Sequence, residues 1–229
     1  MSYKSNNEKV AAVDGSGTVS IKGAGKATIT VKASATANYK EAEKSITITV
    51  AKADSGLSVK KKNYSKVMGD KAFNIGAAAK SSITYKSSNK KVVTVDKKGK
   101  LTIKGCGKAV ITVSAGNSNY KSAEIKVTVK VVPKKAALKS LGSKKAGQLT
   151  VSWSKQKEAK GYVVEYSTDK KFKKKVKSVT INKNGTKSTT LKKLSKGKKY
   201  YVRVKAYTII DKKKSYGKVS KVLNKTVKK

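Results

Sequence analysis

The chain has 229 residues, enough for about two ordinary domains. It carries 56 basic against 12 acidic residues, a formal charge of +44, and no histidine, which removes the commonest general base and any Ser-His or Cys-His nucleophilic pair. The single cysteine, Cys106, excludes an internal disulfide, and no apolar run approaches the ~18 residues of a membrane span.

Apolar residues alternate with polar ones in run after run, which is the period of half-buried strands. In chain order these runs are Val10 to Val13, Thr18 to Ile21, Ala27 to Val31 and Ser45 to Val50, then Leu57 to Lys60, Phe73 to Ile75, Ile83 to Lys86 and Ile125 to Val132. The stretch from Tyr3 to Val31, YKSNNEKVAAVDGSGTVSIKGAGKATITV, recurs without a gap from Tyr85 to Val113 as YKSSNKKVVTVDKKGKLTIKGCGKAVITV. The chain is therefore a repeat array, one folding unit used more than once. Ahead of its tyrosine the second copy has patterned sequence, Asp54 to Thr84, where the first has only Met1 and Ser2. Residues 1–52 are thus expected to be an incomplete module and 53–132 a complete one. An incomplete sandwich exposes sheet edges, so residues 1–52 are expected to be loosely held or completed by strands from another chain.

Pro133, the only proline, closes the strand ending at Val132, because it cannot donate to a sheet ladder. Beyond it, in residues 133–229, lie Leu149 to Trp153, Gly161 to Tyr166, Ser178 to Ile181, Ser188 to Leu191, Tyr200 to Tyr207 and Val219 to Val227. Short strands at even spacing indicate an antiparallel sandwich, with Asn184-Gly185 the clearest hairpin turn. No segment has helical periodicity of useful length. The fold class expected is all-β, tandem antiparallel immunoglobulin-like β-sandwiches arranged as beads on a string.

The V-x-V-D, G-K-L-T, G-x-G-K-A-x-I-T-V order, followed by NYKSAEIKVTV, resembles the group 2 bacterial immunoglobulin-like domain of Gram-positive surface proteins. Residues 133–229 resemble a fibronectin type III domain. Trp153 matches its buried tryptophan, Tyr162, Val164 and Tyr166 its third strand, and Leu194 to Val204 the run that places Tyr200 at the tyrosine corner, with Lys196 where proline is usual. No Arg-Gly-Asp tripeptide is present. Both resemblances imply extracellular, multi-domain proteins of the cell surface or secreted, in which such modules act as stalks, spacers or adhesive units. They imply no chemistry.

Nothing else in the sequence supplies chemistry. Glu41 and Glu43 stand alone beside a loop, Cys106 replaces Ala24 of the first copy between two glycines, and Asp14, Asp70, Asp96 and Asp211 lack the clustering of a calcium loop. The Gly15-Ser16-Gly17 and Gly23-Ala24-Gly25 loops connect strands rather than open helices, so they are no phosphate cradle. A Lys to Asn isopeptide crosslink needs a buried carboxylate beside both, which sequence does not reveal. Neither enzyme activity, cofactor nor metal is expected.

Binding is the remaining route. Arg203 is the only arginine, so the coat is almost pure lysine, which suits diffuse attraction to polyanions better than base readout. On the strand from Tyr200, alternation places Tyr201, Arg203, Lys205 and Tyr207 on one face, a candidate ligand-facing strip; an ordinary outer sheet face has the same pattern. The expected function is a non-catalytic spacer or adhesion segment whose partners are anionic cell-wall polymers or acidic glycans, with upstream domains of a longer parent protein. The alternative is charge-driven, non-specific nucleic-acid binding.

Overall fold

Alternating runs separated by glycine, asparagine and lysine turns fold into twenty strands and no helix in the computed structural model, which describes residues 1–229. By packing, the chain divides into two compact units. One is Met1–Lys60 with Gly76–Tyr85 and Thr112–Ile125; the other is Lys61–Ile75 with Lys86–Ile111 and Lys126–Lys229. The boundaries of the division fall within the second copy of the repeat.

The first copy forms β1 (Ser2–Ser5), β2 (Ala11–Val13), β3 (Val19–Ile21), β4 (Gly25–Ala33) and β5 (Ala42–Val50). They make a three-stranded antiparallel sheet in the order β1-β4-β5 and a separate hairpin, β2-β3. The hairpin turn is set by Asp14, whose Oδ1 accepts the amides of Ser16 at 3.0 Å and Thr18 at 2.9 Å, and by Gly17, at φ 87° where a side chain would be strained. Ser5 ties the sheet to the hairpin by donating its hydroxyl to the Ala11 carbonyl at 2.6 Å. The core is small. Val10, Ala11 and Ala27 are buried together, with Ile48 and Val50 only partly covered beside them.

The second copy adds two strands ahead of the shared set. β6 (Asn63–Val67) and β7 (Phe73–Asn74) precede β8 (Ile83–Ser87), β9 (Val93–Val95), β10 (Lys100–Ile103), β11 (Gly107–Ala115) and β12 (Ala123–Val132). Sheet orders are β6-β12-β11-β8 and β7-β10-β9, so β8 to β12 reproduce β1 to β5, and β6 and β7 each extend one sheet. β6 pairs in parallel with β12, from Thr128 opposite Asn63 to Val132 opposite Val67, a departure from the wholly antiparallel expectation. The run Leu57 to Lys60 is not a strand; it holds only a single bridge between Ser58 and Ala78. The local devices are copied faithfully: Ser87 Oγ donates to Val93 O at 2.6 Å, and Asp96 Oδ1 accepts the amides of Lys98 and Lys100, both at 2.9 Å.

Residues beyond Pro133 form β13 (Leu138–Gly142), β14 (Leu149–Trp153), β15 (Gly161–Ser167), β16 (Lys177–Ile181), β17 (Ser188–Leu191), β18 (Lys199–Ile210), β19 (Lys213–Tyr216) and β20 (Leu223–Thr226). One sheet runs β13-β14-β17 and the other β16-β15-β18-β19, with β20 also on β18. Between them lie Leu149, Val151, Trp153, Tyr162, Val164, Leu191, Val202 and Val204. Trp153 and Tyr162 meet at 5.4 Å between ring centroids, so the two largest buried side chains pack on each other. The Tyr162 hydroxyl donates to Asn184 O at 3.0 Å and accepts the Gln156 amide at 2.7 Å. Asn184-Gly185 is therefore not a hairpin turn. The strands it joins, β16 and β17, belong to opposite sheets, and the turn is held by that buried tyrosine instead.

Candidate binding face of the C-terminal sandwich

The long strand β18 carries Tyr201, Arg203, Lys205 and Tyr207 at alternate positions, with β15 along one edge and β19 and β20 along the other. Register sets Glu165 of β15 opposite Arg203 and Val163 opposite Lys205. Glu165 accepts Arg203 Nε at 2.6 Å on Oε2 and Lys205 Nζ at 2.5 Å on Oε1, so one carboxylate serves two cations. Burial alone would raise the pKa of Glu165, but the hydrogen bonds and charges of Lys205 and Arg203 outweigh it and hold the carboxyl below its ordinary value.

Aromatic rings occupy the other side of each cation. The Arg203 guanidinium lies 4.1 Å from the Phe172 ring centroid and Lys205 Nζ 4.4 Å from that of Tyr216, contacts worth about 0.5–2 kcal/mol each. Lys214 Nζ sits 5.2 Å over Tyr207, and the Tyr207 and Tyr216 rings meet edge to face at 6.2 Å. Tyr207 is 2% exposed and donates its hydroxyl to Asn182 Oδ1 at 2.7 Å. The expectation that Tyr207 presents a ring to a ligand is thereby corrected, because β19 and Asn182 cover it. Arg203 and Lys205 are likewise taken up by Glu165 and by rings, and Tyr201 is half-buried opposite Ser167 and Asn224. The strip is a locked network rather than an open platform.

Lysines and rings meet openly elsewhere. A cleft of about 630 Å³ is lined by Tyr166, Tyr200, Val176, Lys175, Lys177 and Lys198 among others. Its two tyrosines, 6.3 Å apart at 50°, pack against the core with one part of each ring and border the cleft with another. Tyr200 occupies the tyrosine corner, its hydroxyl accepting the Ser195 amide at 3.3 Å. The fibronectin type III resemblance places both residues on strands and does not reveal that their rings border a cleft. The available signal was the lysine run 170 to 177, which leads straight into β16 and so must pass that edge.

The other groups singled out in the sequence have local work. Burial, with a smaller contribution from Glu158, pushes the Cys106 thiol up to about 11, so it is protonated at neutral pH. Asp70 accepts the Val67 amide at 3.0 Å, Asp211 pairs with Lys108 at 2.7 Å and Lys130 at 3.6 Å, and Glu43 with Lys32 at 2.9 Å. No helix is long and apolar enough to cross a membrane.

Residues 1–36 and 76–117 match the family described as the intimin immunoglobulin-like domain, and residues 138–221 match the fibronectin type III domain. No curated protein matches the chain in sequence. Among solved structures, the chain is similar to three fibronectin domains of chicken CNTN1, at 13% identity over 89% of this chain and 78% of that one, TM-score 0.38. It is also similar to a multi-domain segment of titin, at 14% identity over 90% and 75%, TM-score 0.36. It is similar as well to a myokine, at 19% identity over 42% of this chain and 99% of that one, TM-score 0.34.

Proposed function

Since the chain carries immunoglobulin-like domains followed by a fibronectin type III domain, modules typical of non-catalytic extracellular spacing and adhesion, we propose that it is a spacer and adhesion segment of a bacterial surface or secreted protein that holds anionic polymers. The partners are cell-wall polymers or acidic glycans. The observation that carries this reading is the cleft of Tyr166 and Tyr200 rimmed by Lys175, Lys177 and Lys198, within a coat of +44 formal charge. A ring face suits the apolar side of a sugar, and ammonium groups suit its phosphate, sulfate or carboxylate.

Retention of the intact chain on immobilised teichoic acid, a sulfated glycan and a neutral polysaccharide, across a salt series, tests it. Retention is expected on the two anionic supports only, and reduced more by changing Lys175, Lys177 and Lys198 to Ala than by changing Lys26, Lys97 and Lys98. Equal, negligible binding to all three at low salt reduces the chain to a spacer. The charge also favours a second reading, non-specific nucleic-acid binding, which the single arginine weakens. Nanomolar duplex affinity surviving physiological salt would favour it, whereas a steep salt slope with weak binding means polyelectrolyte attraction.

A further inference from the structure

The segment that leads from β15 into β16 gathers Lys170, Lys171, Lys173, Lys174, Lys175 and Lys177, all exposed and none within ion-pair distance of a carboxylate. Its one acid, Asp169, turns both oxygens to the backbone. Oδ1 accepts the Lys171 amide at 2.9 Å, and Oδ2 accepts those of Lys173 at 2.8 Å and Lys174 at 3.1 Å. These bonds, that of Lys171 foremost, hold the Asp169 carboxyl below its ordinary value. Ser167 closes the loop at its base, its Oγ accepting the Asp169 amide at 3.0 Å and donating to Lys174 O at 2.7 Å.

Two residues of this loop lie in the left-handed region, Phe172 at φ 53° and Lys175 at φ 50°. A bulky side chain keeps that conformation only where its surroundings impose it, and such residues concentrate at ligand clamps. Phe172 is held by Arg203, whose guanidinium lies 4.1 Å from the ring centroid and is itself fixed by Glu165 at 2.6 Å. The network that closes the β18 strip therefore has an outer end, and that end carries the lysine loop. Neighbouring ammonium groups repel, and an unconstrained loop would spread them apart. Asp169 and Glu165 instead keep the loop in one shape without neutralising any of its lysines.

We propose that Asp169 and Phe172 are positioning residues for anion binding. Asp169 from within the loop, and Phe172 through Arg203, hold Lys175 and Lys177 at the rim of the cleft beside Tyr166 and Tyr200, where they receive the anionic groups of a polymer. Neither residue lines the cleft, so both act through the loop. Ordering it beforehand removes an entropic cost from binding. The proposal rests on the reading of that cleft as a polyanion site.

The test measures the affinity of the intact chain and its variants for soluble teichoic acid and for a sulfated glycan across a salt series. Asp169→Asn makes the chain more positive, which diffuse attraction alone would turn into tighter binding. As a change in positioning it is expected to weaken binding about fivefold or more, because one amide oxygen cannot replace two carboxylate oxygens. Phe172→Ala is expected to weaken it by a similar factor with the salt slope unchanged, since no ammonium group is lost, whereas Lys175→Ala flattens the slope. Phe172→Trp, which keeps a ring on Arg203, is expected to bind within about twofold of the unaltered chain. The Arg203 Nε proton signal should move on Phe172→Ala while those of Val151 and Val204 in the core stay in place, which tells loss of positioning from loss of fold. Binding by Asp169→Asn or Phe172→Ala as tight as that of the unaltered chain overturns the proposal and leaves the reading of the cleft standing. Failure of the unaltered chain to bind either polymer at low salt overturns both.

Discussion

Ile46 and Val127 occupy the same place in two copies of one sequence, and only one of them is inside the protein. Hairpin, turn and bonding devices are the same in both: Ser5 and Ser87 make the same 2.6 Å bond, and Asp14 and Asp96 bind the amides two and four residues on. Burial is not the same. Ile48 and Val50 are half-covered where Val129 and Val131 are fully buried. Local sequence thus makes the strands and turns of this repeat, whereas its core is made by the two strands that only the second copy has. Hydrogen-bonded geometry and apolar burial are separable here, and the second supplies most of the stability.

Four measurements break or sharpen that contrast. The largest effect is expected from Ile75→Ala, which opens a cavity between the sheets of the second copy and costs about 2–5 kcal/mol; exchange at Val129 should quicken toward that of Ile48, while Ile29 is unaffected. If Val129 holds its protection, closure by the leading strands is not what distinguishes the copies. Next, Ser5→Ala and Ser87→Ala each leave a carbonyl without its hydroxyl partner and should cost about 1 kcal/mol apiece. Equal losses in urea titrations would separate local bonding from closure; a loss confined to Ser87→Ala would tie them together.

Ile46→Ala should change stability by less than about 0.5 kcal/mol, whereas Val127→Ala should cost clearly more, since only the latter leaves a buried space. The smallest effect concerns acid. Hydrogen bonds from Ser16, foremost its hydroxyl, and from the Thr18 amide hold the Asp14 carboxyl below its ordinary 3.8, so its contribution is present above that value and is lost as pH falls through the lower folded one. Amide signals of Ser16 and Thr18 should shift over that window with the sheet β1-β4-β5 intact. Movement of the whole first copy would show the turn and sheet to be one cooperative unit.

The repeat, the strand positions and the two tyrosine-rich strands of the C-terminal sandwich were legible because alternation is a property of neighbours in sequence. What sequence did not reveal depends on neighbours in space. β6, Asn-Tyr-Ser-Lys-Val, has too few apolar residues to read as a strand, yet its backbone completes the sheet. Tyr207 alternates correctly with Arg203 and Lys205, but Tyr216, Lys214 and Asn182 come from a hairpin partner and another strand's end to cover it. Tyr166 and Tyr200 alternate as strand residues do, but the cleft they border is lined by Thr168, Lys175 and Val176 of the loop after β15 and by Ser195 and Lys198, which strand periodicity does not bring together. Fold class follows from periodicity; the exposure of any one ring follows from which strand lies alongside.

The parallel alignment of β6 with β12 has a mechanical side. The strand that enters the second copy and the strand that leaves it run side by side in the same direction, so tension on the flanking chain slides them past each other. Five register pairs then resist together in shear, rather than parting one after another. Residues 2–50 have no such clamp and should yield at the lower force in single-molecule stretching; a first rupture located in the second copy would contradict this. For a spacer module, a parallel clamp between its entering and leaving strands sets how much load the second copy carries before it opens.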